Sequence, residues 1–149
     1  MKTNYKKLVI YILIPLILGS IVGLLTSGNY NEIIMPKFMP PKILFPIVWS
    51  ILYILMGISR YLIDNKGNNH NAITIYRIGL IVNLLWPFLF FNFKWFLFSF
   101  LWIILLIILA SIMIIRFYKL SKSSSLLQIP YLIWLIFASF LNFAVYTLN

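Results

Sequence analysis

Charged side chains are almost confined to the gaps between five long apolar stretches of this sequence. Of its 149 residues, 12 are Lys or Arg and 2 are Asp or Glu. A helix needs about 20 residues to cross a bilayer core about 30 Å thick, and each stretch has about that length. The stretches cover residues 8–26, 43–63, 73–93, 96–115 and 126–148. This pattern predicts an all-α integral membrane bundle of five transmembrane helices, forming a single domain over residues 1–149.

The basic residues predict how these helices are oriented. If Arg60 and Arg77, which lie near helix ends, are assigned to the adjoining loop, nine of the 12 basic residues fall on the side of the N-terminus. The other three are Lys37, Lys42 and Lys94. Because cytoplasmic loops are enriched in Lys and Arg, we expect a cytoplasmic N-terminus and an external C-terminus. The heavy use of Ile, Asn and Lys favours a bacterial cell membrane.

The net charge of +10 does not by itself indicate a nucleic-acid partner. Basic groups that bind nucleic acid cluster on one face of a domain, whereas here they flank the apolar stretches. The expected surroundings are therefore the lipid bilayer, and no nucleic acid is expected among the partners.

The scarcity of reactive side chains excludes several kinds of chemistry. The sequence has no cysteine, one histidine (His70) and two acids (Glu32 and Asp64), and these three residues are predicted in loops. Ion-coupled transport normally needs an acid or a paired charge within the membrane. The residues of a metal site, or of a hydrolase or phosphoryl-transfer enzyme, cannot be assembled from this inventory. We expect no metal and no resident cofactor.

The first predicted loop, residues 27–42, is the longest and has three prolines within six residues, Pro36, Pro40 and Pro41. Proline fixes its own φ angle and disfavours helix in the preceding residue, so residues 36–41 are predicted to be stiff and without regular helix. The loop can lie over the bundle as a lid. Alternatively, it is an ordinary connector anchored at the membrane interface by Phe38 and Met39.

Two glycines four residues apart, Gly19 and Gly23, lie in the first predicted helix. Small residues at this spacing let another helix approach closely. The partner is either a neighbour in the same bundle or a second copy of the chain, and the sequence does not choose between them.

Three predicted helices carry polar or aromatic residues along one face, where lipid contact alone would need only Leu or Ile. These faces are Phe45, Trp49, Tyr53 and Met56 in the second helix; Asn83, Trp86, Pro87 and Phe90 in the third; and Tyr131, Trp134, Ala138, Leu141 and Asn142 in the fifth. An amide in hydrocarbon needs a partner, either another helix or a ligand. The faces predict a pocket for a large, flat, mostly apolar molecule, although helix packing or interfacial anchoring by tryptophan remains an alternative.

Four segments resemble motifs of the TspO/translocator protein family, also called tryptophan-rich sensory proteins or peripheral benzodiazepine receptors. Residues 35–41 resemble the lid motif K-P-x-W-x-P-P, and residues 52–57 resemble L-Y-x-x-M-G. Residues 83–91 are similar to N-x-x-W-x-x-x-F-F, and residues 130–142 to P-Y-x-x-W-x-x-F-A-T-x-L-N. The resemblance covers nearly the whole chain.

The resemblance implies a five-helix bundle, commonly a homodimer, with a pocket beneath the first loop. Family members bind porphyrins such as protoporphyrin IX and isoquinoline- or benzodiazepine-type drugs, and animal members bind cholesterol. The implied lid residues are Pro36, Phe38, Pro40 and Pro41. The expected ligand-binding residues are Trp49, Tyr53, Asn83, Trp86, Phe90, Trp134, Ala138 and Leu141. Phe90 is included because it lies on the aromatic face of the third helix, and the others are implied by the resemblance.

The implied function is porphyrin binding for sensing, sequestration or transport. The alternative is a light- and oxygen-dependent enzyme that degrades bound porphyrin, in which Trp49 and Trp134 would be the catalytic residues. Neither function requires a metal or an acid–base residue.

The chain departs from the family pattern at several positions. Met35 and Phe38 stand where the lid motif has lysine and tryptophan, and Trp102 replaces an acid in the fourth helix. The C-terminus lacks the basic residue of the sterol motif of animal members, which weakens the case for cholesterol.

Overall fold

The computed structural model describes residues 2–149, which form helices joined by short connections and contain no strand. The α-helices are α1 (Tyr5–Thr26), α2 (Leu44–Asp64), α3 (His70–Pro87), α4 (Phe96–Leu120), α5 (Lys122–Leu126) and α6 (Ile129–Leu148). A 3-10 helix, Ser27–Glu32, follows α1, and a π-helical turn, Phe88–Asn92, extends α3. Five segments are long and apolar enough to cross a membrane, the last comprising α5 and α6. The prediction of an all-α, five-span membrane bundle is confirmed.

The largest difference from the predicted boundaries lies between the fourth and fifth spans. We expected a basic loop over residues 116–125, but α4 continues to Leu120 and the short helix α5 follows. α4 continues because Phe117 is completely buried against the bundle core. Ser121 then separates the two helices, and its hydroxyl accepts a hydrogen bond from the backbone N–H of Ser124 in the first turn of α5.

Two residues that we expected in loops belong to helix ends. His70 is the first residue of α3, and Asp64 is the last residue of α2. The connection between them is correspondingly short, and the Asn69 side chain donates to the carbonyl oxygens of Ile63 and Asp64 at the end of α2. These two bonds satisfy carbonyls that a helix end otherwise leaves without partners.

The helices form a bundle that leaves one gap. α1 packs along α2, α4 packs between α3 and α6, and α5 joins α2 to α4. α2 and α6 make no extended backbone contact. The core fills the end of the bundle near α5 with Ile63, Phe117 and Leu135, so the gap between α2 and α6 lies towards the other end.

α1 and α2 approach most closely at Gly57. A methyl group at this position would overlap the backbone of Tyr11 and Ile12. Pro15, one turn further along α1, has no N–H to donate to the Tyr11 carbonyl. Gly57 of α2 therefore packs against the part of α1 where Pro15 removes a backbone hydrogen bond.

Of the two glycines in α1, only Gly19 lies in close contact with another helix of the same chain. A methyl group at Gly19 would overlap the ring of Tyr53 on α2, whereas Gly23 has open space around it. Gly19 therefore permits packing inside one chain, and its spacing to Gly23 is no longer an argument for a contact between two copies.

Three charged residues of α1 and α2, Lys7, Arg60 and Asp64, form one cluster at the end of the bundle. Arg60 is buried and binds Asp64, with 2.8 Å between Nη1 and Oδ1. Asp64 also forms an ion pair with Lys7, and the Arg60 guanidinium lies 4.5 Å from the centre of the Tyr11 ring. An arginine near the membrane is stabilised when it pairs in this way.

Candidate functional site

A cavity of about 530 Å³ lies between α1, α2, α3, α4 and α6, beneath the first loop. Its volume is within the range of about 300–1,000 Å³ that is typical of small-molecule sites. All eight expected ligand-binding residues line it: Trp49, Tyr53, Asn83, Trp86, Phe90, Trp134, Ala138 and Leu141. The structure thus brings the polar and aromatic faces of three helices together, and contact of these residues with a ligand stays a prediction.

Paired aromatic rings support the cavity wall on α2 and α6. The rings of Trp49 and Tyr53 are stacked with their centres 5.5 Å apart. Trp49 also meets Tyr131 of α6 edge-on at 6.4 Å, and Phe45 meets Trp134 at 5.8 Å. These pairs hold the faces of the tryptophans in fixed positions beside the open space.

The π-helical turn after Pro87 shapes the wall on α3. In this turn the N–H of Phe93 bonds to the carbonyl of Phe88, five residues earlier, at 2.9 Å. The wider turn places both Phe90 and Phe91 on the cavity wall, where their rings meet edge-on at 4.8 Å. Trp86 stacks on Phe90 at 4.9 Å. π-Helical turns are rare and are often found at functional sites.

Asn83 joins three helices through its side-chain amide. Its oxygen accepts a hydrogen bond from the Tyr53 hydroxyl at 2.7 Å, and its nitrogen donates to the Tyr131 hydroxyl at 2.9 Å. The residue is 3% exposed. Asn83 therefore lies at the cavity wall but already has partners on α2 and α6.

Asn142 is similarly engaged at the other intramembrane amide position. Its oxygen accepts from the Trp86 indole at 3.0 Å and from the Ser99 hydroxyl at 3.1 Å. Its nitrogen donates to the Phe96 carbonyl at 2.9 Å. Both amides therefore have their hydrogen-bond partners on other helices. This is one of the two alternatives that the sequence left open, the other being a ligand.

Trp134 differs from these residues because its polar atom is buried and unused. Within the part of the chain that the structure describes, the Trp134 indole N–H has no hydrogen-bond partner. Buried donors without partners are rare and are often explained by an absent water or ligand. This donor belongs to a residue of the cavity wall.

The first loop covers the cavity, but not through the residues that we expected. The expected lid residues Pro36, Phe38, Pro40 and Pro41 belong to this loop, and none of the four contributes to the wall. Phe38 is 63% exposed, whereas Met39, its companion in the interfacial-anchor alternative, lines the cavity. The loop residues that line the cavity are Tyr30, Met35, Met39 and Lys42.

Contacts from both sides hold this loop against the bundle. Ile33 is buried against Phe90 and Val145. The Asn149 side chain accepts from the N–H of Ile34 at 3.2 Å and donates to its carbonyl at 2.9 Å. An ion pair between Glu32 and Lys94 adds a second link, to the connection between α3 and α4.

The wall contains many residues that the sequence analysis did not assign to the site, among them Tyr30, Met35, Met39, Lys42 and Phe91, together with residues of α1 and α4. Phe91 was not predicted because in an ideal α-helix it would lie on a different face from Phe90. Only the wider π-helical turn places it on the cavity wall. The loop residues were not predicted because the sequence analysis assigned the lid to the prolines of the motif. The residues that line the cavity are instead their neighbours Met35 and Met39.

Comparison with known proteins identifies the family. The sequence model of the TspO/MBR family matches residues 11–148. The tryptophan-rich protein TspO of Chlorobaculum tepidum is 37% identical over 127 residues, covering 83% of this chain and 80% of that protein. The protein of the same name from Archaeoglobus fulgidus is 38% identical over 152 residues, covering 98% and 99%. Protein CrtK of Rhodobacter capsulatus is 32% identical over 124 residues, covering 80% and 78%. With this match along almost its whole length and five membrane-spanning helices, the chain belongs to the TspO/MBR family of integral membrane proteins.

Proposed function

We propose that this protein binds porphyrins such as protoporphyrin IX, and other flat apolar molecules, in the cavity beneath the first loop. Such binding would serve sensing, sequestration or transport. The observation that carries the proposal is the cavity of about 530 Å³ with tryptophans on three of its helices.

The chemistry of the wall suits a flat conjugated ring. Aromatic side chains offer large apolar faces, and an aromatic pair contributes about 0.5–1.5 kcal/mol beyond the burial of its area. The wall contains Trp49, Trp86 and Trp134, each held by a neighbouring ring. The two asparagines are engaged by other helices, so the interior presents mainly apolar surface.

The proposal is tested by titrating the purified protein with protoporphyrin IX and following the porphyrin absorbance. We expect saturable binding of one porphyrin per chain. Trp134→Phe removes part of one stacking surface and should weaken binding about three- to tenfold. Trp95→Phe is the matched control, because Trp95 is 54% exposed and lies outside the wall. Equal dissociation constants for the two variants would show that porphyrin does not occupy this cavity.

A second candidate function, porphyrin degradation driven by light and oxygen, is favoured by the side chains next to Trp49. The indole lies 5.5 Å from the Tyr53 ring and 6.4 Å from the Tyr131 ring, measured between centres. A photoexcited porphyrin can exchange an electron with a nearby indole, or transfer its excitation to O2, which then oxidises the porphyrin ring. In this candidate function Trp49 and Trp134 would act as the catalytic residues, with O2 as the oxidant.

The two candidates are separated by an absorbance time course in light and in darkness, with air or argon. The enzyme function predicts a new product that requires protein, light and O2 and is lost in the Trp49→Phe, Trp134→Phe double variant. Porphyrin that bleaches equally with that variant and with Trp95→Phe would exclude it and leave the binding function.

We further propose that the bundle lies in a bacterial cell membrane with its N-terminus in the cytoplasm. The clustering of Lys7 and Arg60 at one end supports this orientation, because both belong to the more basic side. The homodimer implied by the resemblance stays a prediction, which the mass of the purified particle would test.

A further inference from the structure

The sulfur atoms of this chain are unequally protected from oxidants. The sequence has no cysteine and five methionines, of which Met1 lies outside the described residues. Met56 and Met113 are 3% and 4% exposed in the core of the bundle. Met35 and Met39, both in the first loop, are only partly buried. An oxidant that approaches from the aqueous side of the loop therefore reaches these two thioethers before those in the core.

Met35 and Met39 pack against one apolar cluster, which consists of Ile33, Phe90 and Val145. The cluster joins the first loop to the π-helical turn after α3 and to the end of α6. Both methionines also line the cavity. The two thioethers therefore belong to the apolar contact that holds the loop over the cavity.

The other contacts that hold the loop are made by groups of a different chemistry. Glu32 forms an ion pair with Lys94, and the Asn149 side chain bonds to the backbone of Ile34. Carboxylate, ammonium and amide groups do not react with hydroperoxides. Oxidation of methionine to its sulfoxide, in contrast, turns a flexible apolar side chain into a polar one and disrupts apolar packing. The methionine contact is therefore the part of the loop's attachment that an oxidant can change.

We propose that Met35 and Met39 form an oxidation site through which hydroperoxides loosen the first loop and open the cavity. At each site the thioether sulfur takes the terminal oxygen of the hydroperoxide. The O–O bond breaks, a sulfur–oxygen bond forms, and the peroxide leaves as an alcohol or, from hydrogen peroxide, as water. Sulfur gives up two electrons and the peroxide accepts them, so that no further reactant is needed.

The loosening of the loop goes beyond the porphyrin-binding function, because it requires no ligand. Weaker retention of a porphyrin is its expected consequence, and this part rests on the proposed function. Because sulfoxides can be reduced back to thioethers by methionine sulfoxide reductases, the change is reversible.

The first test is where oxygen is added. The purified protein is treated with hydrogen peroxide in darkness and without porphyrin, so that no photochemistry contributes, and its peptides are analysed by mass spectrometry. We expect Met35 and Met39 to gain oxygen about fivefold faster than Met56 and Met113, or more, because access of the oxidant limits the reaction. Equal rates at all four positions would show that the fold does not direct oxidation to the loop and would overturn the proposal.

The second test is whether oxidation loosens the loop. Hydrogen exchange of peptides covering residues 27–42 should become about fivefold faster after peroxide treatment of the unaltered protein. The Met35→Leu, Met39→Leu double variant keeps apolar side chains of similar volume but has no sulfur to oxidise, so its exchange should not respond. The matched control is Met56→Leu, Met113→Leu, which keeps both loop sulfurs and should respond as the unaltered protein does. Exchange that stays unchanged in the oxidised protein, or rises equally in the loop variant, contradicts the proposal.

The third test measures the consequence for a ligand and separates the proposal from the porphyrin function. Protoporphyrin IX should bind the oxidised protein about fivefold more weakly than the untreated protein, and peroxide should not change its binding to the loop variant. If peroxide loosens the loop but no porphyrin binds even the untreated protein, the porphyrin function fails and the oxidation site stands. If porphyrin binds but peroxide changes neither loop exchange nor affinity, the oxidation site is wrong and the porphyrin function stands. A loosened loop with unchanged affinity would show that the loop does not close the cavity.

Discussion

Individual residues determine how closely the helices pack, and Gly57 shows this most clearly. We predict that Gly57→Ala lowers the free energy of unfolding by about 1–3 kcal/mol, because the added methyl group overlaps the backbone of α1 at Tyr11 and Ile12. Backbone cannot move aside as the end of a flexible side chain can. Thermal unfolding in detergent measures the effect.

Gly79→Ala is the control for this prediction. Gly79 lies within α3 and has no atom within 4 Å of an added methyl group. Alanine is the better helix former by about 1 kcal/mol, so this variant should be as stable as the unaltered protein or more so. If both alanine variants changed stability equally, close packing at Gly57 would not be the cause.

The sequence predicted which residues need partners better than it predicted which partners they have. Intramembrane Asn83 and Asn142 were expected to bond either to helices or to a ligand, and the structure shows helix partners for both. The spacing along one helix cannot identify these partners, because they depend on the rotation of one helix against another. For the same reason, the unengaged indole N–H of Trp134 was not foreseeable.

At the scale of elements, apolar length and charge placed the five spans, and the differences arose at their ends. α4 continues past the predicted end because the burial of Phe117 outweighs the nearby charges. Pro87 was recognised on the wall of α3, but proline can kink a helix, end it or widen its turn. Only the structure shows the π-helical turn, which adds Phe91 to the wall.

The first loop should be held in place by Asn149 rather than by stiffness alone. We predict that Asn149→Ala speeds hydrogen exchange of the Ile34 amide about fivefold, because it removes the acceptor at 3.2 Å from that N–H. Exchange measured by mass spectrometry on peptides covering residues 27–42 tests this. Asn31→Ala, an exposed change in the adjoining 3-10 helix, should leave the rate as it is. An equal rate in both variants would mean that the prolines alone fix the loop.

At the scale of the whole molecule, the cavity depends on the gap between α2 and α6, and Ala138 is the small residue on the α6 side of it. We predict that Ala138→Phe fills part of the cavity and weakens porphyrin binding tenfold or more, without unfolding the bundle. Absorbance titration measures the loss, and circular dichroism shows whether the helices remain. Ala144→Phe is the control on the same helix, since Ala144 is outside the wall. Equal binding by both variants would place the ligand elsewhere.

The proposed orientation of the bundle rests on where its charges lie, and the chain is well suited to testing it because it contains no cysteine. Single cysteines introduced as Lys66→Cys and Lys37→Cys occupy exposed positions in two different loops. α2 crosses the membrane between these loops, so the two thiols must lie on opposite sides. With the N-terminus in the cytoplasm, a membrane-impermeant maleimide added to intact cells should label the cysteine at position 37 and not the one at position 66. Permeabilised cells, in which both thiols should react, provide the control. Labelling of position 66 alone in intact cells would reverse the orientation and place the loop end of the cavity, with Lys42, in the cytoplasm.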